Sequence, residues 1–178
     1  LKLLASTFEA QGNLKTAKDH YKRIPSDWRA TASEKAEGYQ ELASFLIRTN
    51  DLQEAVAAYS AILALPMTSH AEKAAAIFGM AEVMKLEGQY YAARVEYQQI
   101  IDAPGYPQEQ KRQAKRLLAS AYASDPSVES YVANMTSAAK IYTELYESPG
   151  FTMTERTELL FAVPDAYRAK SDYANAPL

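Results

Sequence analysis

The feature that most constrains this chain is an interval of 38 residues. Leu4, Leu42, Met80 and Leu118 stand that far apart, and an alanine follows each: Ala5, Ala43, Ala81 and Ala119. Beyond the first three anchors come Ala17, Ala55 and Ala93, then Tyr21, Tyr59 and Tyr97, then Ile24, Ile62 and Ile100. The series resumes seven residues late in Ala138, Tyr142 and Leu145, and Val163, Tyr167, Tyr173 and Ala176 keep that displacement. Tyrosine is only 13 of 178 residues, too sparse for four to fall into register by accident. A fixed interval of this size marks a chain of supersecondary units, none of which hides its apolar face alone.

Within a unit the apolar spacing is helical: Ala55, Tyr59 and Ile62 lie at i, i+4 and i+7. Gly12–Asn13, Asn50–Asp51 and Gly88–Gln89 interrupt it, and such short breaks join antiparallel neighbours. Pro66, Pro104 and Pro149, with Pro25 slightly early, close the second helix. Thr31 with Glu34, Ser69 with Glu72 and Thr152 with Glu155 read as capping boxes that open the next helix. Pro107, with Gln110 three residues on, takes the equivalent place in the remaining unit. The expected unit is a helix A of about 17 residues, a tight turn and a helix B of about 14. The units span 1–30, 31–68, 69–106, 107–151 and 152–178 in one all-α array. The recurrent alanines let helix B approach helix A, and the tyrosines add apolar area with a hydroxyl that reaches the rim. The six glycines read as helix punctuation.

The segments "LASFLIRTNDLQEAVAAYSAILALP" and "MAEVMKLEGQYYAARVEYQQIIDAP" resemble the tetratricopeptide repeat (TPR). Met80, Ala81, Met84, Gly88, Tyr90, Ala93, Tyr97 and Pro104 fall on that family's pattern, with Met84 apolar where the family has an aromatic. The resemblance covers nearly the whole chain. It implies a right-handed α-solenoid of antiparallel helix pairs, and a concave groove, lined by the A helices, that binds protein or peptide. The interval departs from the family's roughly 34 residues, lengthening helix A by about one turn. In this the chain is similar to outer-membrane-assembly lipoproteins of the bacterial envelope, which gives a lean towards the periplasm. Pro164 replaces the small residue of the fifth unit, so a kink or restart is expected there. Leu4 falls mid-helix and the fifth unit stops at "YANAPL", so the array reads as part of a longer chain. Its open ends would expose apolar faces through which copies could associate.

Carried over by position, the groove residues are Gln40, Ser44 and Arg48, then Phe78, Glu82 and Lys85, then Arg116 and Ser120, then Phe161. Phe78 and Phe161 are expected to face the groove as aromatic anchors, or else to pack between units. The family's clamp for acidic C-termini needs asparagine two residues after each anchor. Ser6, Ser44, Glu82, Ser120 and Asp165 stand there instead, so that clamp is missing. A second candidate is the seven-residue insertion in the fourth unit. Asp125 reads as an N-cap and Pro126 as the first helical residue. Val128, Tyr131, Val132 and Met135 would then form an apolar tip for partner docking, or cover a neighbouring helix. "QKRQAKR" puts Lys111 with Lys115 and Arg112 with Arg116 at i, i+4, a solvated face or a seat for an acidic partner.

Other functions find little support. A net charge of −3 gives no nucleic-acid footprint. There is no cysteine and only His20 and His70, both expected at the surface, so no metal or other cofactor is implied. The longest apolar run, Ala74 to Ala81, falls far short of the ~20 residues a membrane span needs. No nucleophile elbow, phosphate loop or zinc-helix motif is present. Trp28 sits in the first inter-unit turn and is expected to cover it. The leading reading is a non-catalytic protein- or peptide-binding scaffold. An envelope assembly component is second, and a helper domain of a larger enzyme third.

Overall fold

A computed structural model of the chain describes residues 1–127, 130–149, 152–154 and 156–159. Every regular element among them is helical. The chain divides into two compact units, Leu1–Glu87 and Gly88–Leu178.

The first unit holds α1 (Lys2–Ala10), α2 (Leu14–Arg23), α3 (Ala32–Arg48), α4 (Leu52–Ala64) and α5 (His70–Leu86). Each helix packs on the next, and α3 also touches α5. The A helices α3 and α5 have 17 residues each and the B helix α4 has 13, as the repeat predicts. The turns explain the antiparallel pairing. Gly12 (φ 75°) and Asn50 (φ 62°) adopt the left-handed conformation that ends a helix. Asn13 N–H then donates to the Phe8 carbonyl at 2.9 Å and Asp51 N–H to that of Leu46 at 2.7 Å, satisfying carbonyls the helix has abandoned. The next helix starts as the sequence foretells. Glu34 N–H donates to Thr31 Oγ1 at 3.2 Å while Thr31 N–H donates to Glu34 Oε2 at 2.7 Å, and Ser69 and Glu72 repeat both bonds. Glu155, the partner expected for Thr152, lies outside the described residues.

The small residues occupy the seams. Ala5, Ala43, Ala17 and Ala55 are fully buried, and Tyr21 and Tyr59 beside them nearly so. Two glycines do something the repeat does not announce. Gly38 and Gly79 lie inside α3 and α5 rather than at their ends. A Cβ on Gly79 would stand 2.3 Å from the Tyr59 ring, so the missing side chain is what admits the tyrosine. The reading of glycine as mere punctuation fails at these two positions.

The second unit holds α6 (Tyr90–Asp102), α7 (Gln108–Ala123) and α8 (Tyr131–Glu147), with α7 packed on both others. Pro107 is the N-cap of α7, without a side-chain cap bond. Ala93, Ala119 and Ala138 are fully buried, and so is Tyr97. The fourth unit's insertion departs from expectation. Asp125 caps none of the helices among the described residues; its carboxylate accepts from Arg94 Nη1 at 2.7 Å and from Ser127 N–H at 3.0 Å. α8 starts at Tyr131 behind Ser130, one turn longer than α6 but shorter than an Asp125 cap would have made it. Val163, Tyr167, Tyr173, Ala176 and Pro164 lie outside the described residues.

Candidate functional site

Helical spacing sets the groove candidates of the first unit. Gln40, Ser44 and Arg48 recur every four residues along α3, and Phe78, Glu82 and Lys85 run along α5. Gln40 is half-buried, as is Ser44, which lies beside the Tyr59 hydroxyl. Burial drives the Tyr59 pKa up, and Ser44 partly offsets this by donating to the oxygen. Arg48 is committed inside the fold. It binds Glu9 through Nε at 2.7 Å and Nη2 at 3.0 Å, and Glu9 also accepts the Tyr21 hydroxyl at 3.0 Å. The Arg48 hydrogen bond holds the Glu9 carboxyl below the usual glutamate range, against the opposing effect of burial. On α5, Lys85 reaches back to Glu82 at 3.1 Å. Phe78 does not face solvent. It is 9% exposed and belongs to the core, on the stretch of α5 where Ala76, Ile77 and Met80 are also buried.

In the second unit Arg116 sits 3.7 Å from Glu158, and Ser120 is half-buried on α7. The insertion's apolar tip is reduced. Met135 is 3% exposed and so is core, Tyr131 is half-buried, and Val132 alone among the tip's described residues stays open, at 37%. Val128 and Phe161 lie outside the described residues.

Three features escaped the sequence reading. First, Arg94 is clasped on several sides: Asp125 pairs with it, and its guanidinium lies 4.7 Å over the Tyr122 ring. Burial works to raise the Asp125 pKa, but the bonds from Arg94 and Ser127 outweigh it and the value falls. Asn134, itself buried, brings its amide near this carboxylate without a well-formed hydrogen bond. Second, Lys111, Arg112 and Lys115, which the sequence offers as a solvated face or a seat for an acidic partner, line a cleft of about 410 Å³ between α7 and the end of α8 that the sequence does not show. Third, Lys18 joins α2 to α4 by pairing with Asp51 at 2.9 Å and Glu54 at 2.7 Å. Two surface expectations also change. Trp28 covers no turn, being 85% exposed with the Arg29 guanidinium 5.8 Å from its ring. His20 stacks on Phe8 with centroids 5.3 Å apart, rather than standing free; His70 is exposed.

No group of three metal-binding side chains occurs among the described residues, and none of their helices is long and apolar enough to cross a membrane.

The helix pairs, their turns and their alanine seams define an all-α, TPR-like repeat of the α-solenoid class. Solved structures share this fold. BtubC (BKLC) from P. vanneervenii superposes with a TM-score of 0.63 at 16% identity, covering 96% of this chain and 72% of that one. A putative kinesin light chain from Podospora anserina with nearly identical TPR-like repeats gives 0.61 at 20% identity, covering 96% and 85%. A double mutant of MamA RS-1 gives 0.51 at 17% identity, covering 96% and 94%. No family model and no curated protein matches the sequence. At these identities the likeness is one of fold.

Proposed function

We propose that this chain is a non-catalytic scaffold that binds a protein or peptide partner through the A helices α3 and α5 of its first unit. TPR-like repeats typically mediate protein interactions, which sets the class. One observation supports the surface. α3 and α5 bury long apolar stretches yet leave Gln40, Ser44 and Glu82 partly accessible. Half-buried polar groups on rigid helices can hydrogen-bond an incoming peptide at little ordering cost. Arg48 and Lys85 flank them, each held by a carboxylate.

The test is capture of a partner from an extract of the source cells on immobilised protein. A Ser44→Arg, Glu82→Arg variant should keep its helical circular dichroism and lose the captured partner. Capture equal to that of the unaltered chain would remove this face from consideration.

A further inference from the structure

The cleft between α7 and the end of α8 marks a break in the repeat. Counting back by 38 residues, Lys115 stands where α5 has Ile77 and α3 has Tyr39. Ile77 is buried, and Tyr39 packs against the core of the first unit. Those side chains fill that position in the earlier A helices. In α7 a lysine holds it, and a cleft of about 410 Å³ opens beside it over Leu145 and Pro149. Lys111 continues a series that includes Lys35 and Lys73, so Lys115 is the addition.

Among the described residues, the charges of the cleft's two lysines are not balanced from within. Arg112 is engaged by Glu109 at 2.5 Å, and Pro149 contributes only a carbonyl at 3.5 Å. Lys111 and Lys115 are half-buried and pair with no carboxylate among the described residues. Partly desolvated ammonium groups without counter-ions favour an anionic ligand. The exposed Pro149 ring at the edge of the cleft favours one that carries an aliphatic group beside its charge.

We propose that this cleft seats an acidic peptide segment of a partner protein. A Glu or Asp carboxylate sits between Lys111 and Lys115, and a neighbouring aliphatic side chain rests against the exposed ring of Pro149. The proposal rests on the scaffold reading but concerns a separate surface. Here the contacts come from the seam between a helix A and its own helix B.

The test uses fluorescence anisotropy of a dye-labelled peptide of repeating Glu-Glu-Leu, with a Lys-Lys-Leu counterpart. The acidic peptide should bind and the basic one should not, and binding should weaken at high salt. Lys115→Ile restores the residue found at 77. It should leave thermal stability unchanged or higher while weakening the acidic peptide about tenfold or more. Lys111→Gln, on the helix surface, should weaken it too. No binding by the unaltered chain, or equal binding by Lys115→Ile, overturns the proposal. So does a single-stranded RNA that binds more tightly than the peptide and is lost in the same variant. Failure here leaves the α3–α5 scaffold reading standing, because that is read by capture with variants confined to the first unit. Failure of the capture experiment likewise leaves the peptide titration interpretable.

Discussion

Arg48 and Glu9 form a two-point ion pair that ties the end of α3 to α1, with Nε–Oε1 at 2.7 Å and Nη2–Oε2 at 3.0 Å. The parallel bonds match guanidinium to carboxylate geometry. Half of the Arg48 side chain is exposed, so solvent screens much of the attraction. Arg48→Met should cost about 1 kcal/mol in urea unfolding. Glu9 has a depressed pKa, so its contribution is complete above the usual glutamate value and fades as pH falls through the lower folded value. In Arg48→Met the acid sensitivity of unfolding should diminish. An unchanged pH profile would show that the pair contributes nothing to stability.

Arg94 and Asp125 should matter more, since both side chains are largely buried. Removing one partner strands a charge, so Arg94→Met should cost about 3 kcal/mol. The double variant Arg94→Met, Asp125→Leu should recover most of that loss. The Asp125 pKa is lowered, so this stabilisation holds above about 4 and is lost as pH falls further. A double variant no better than the single one would contradict this account.

Gly79 and Tyr59 form a steric pair. In an exposed helix, Gly→Ala gains up to about 1 kcal/mol. Here the new methyl would meet the Tyr59 ring at 2.3 Å, and that ring is buried. Gly79→Ala should therefore destabilise by about 1–3 kcal/mol. In a Tyr59→Leu background the same change should be neutral or stabilising. A stabilising Gly79→Ala in the parent chain would refute the close approach.

Met67 holds φ 61° and is 97% exposed in the turn after α4. A side chain in that conformation costs roughly 1–2 kcal/mol, and asparagine tolerates it better. Met67→Asn should raise the denaturation midpoint by a fraction of that amount. A lowered midpoint would mean that the methionine makes a contact of value.

The helices and their seams were legible because they depend on local periodicity. The alanines at 5, 17, 43 and 55 are buried where the interval put them. The boxes at Thr31 and Ser69 formed as written. What was missed depends on partners the interval does not connect. Glu9 and Arg48 are 39 residues apart, one step off the repeat. Asp125 before Pro126 carries every local sign of a helix start, yet Arg94, 31 residues upstream, claims its carboxylate. For Phe78 the sequence left a groove-facing and a packed position open, because position in a family pattern does not report how deeply a side chain is buried; the packed one holds. Lys115 reads from the sequence as part of a solvated face or a seat for an acidic partner, and the cleft beside it depends on where α8 ends, which the interval does not report.

The backbone reversals at Gly12 and Asn50 are tied by hydrogen bonds spanning only a handful of residues. Such a hairpin can zip early, before any distant stretch of chain has to be found. An engineer wishing to splice in a spare copy would therefore do best to cut just ahead of Thr31 and of Ser69, where one self-contained fold-back ends and the following helix brings its own start signal.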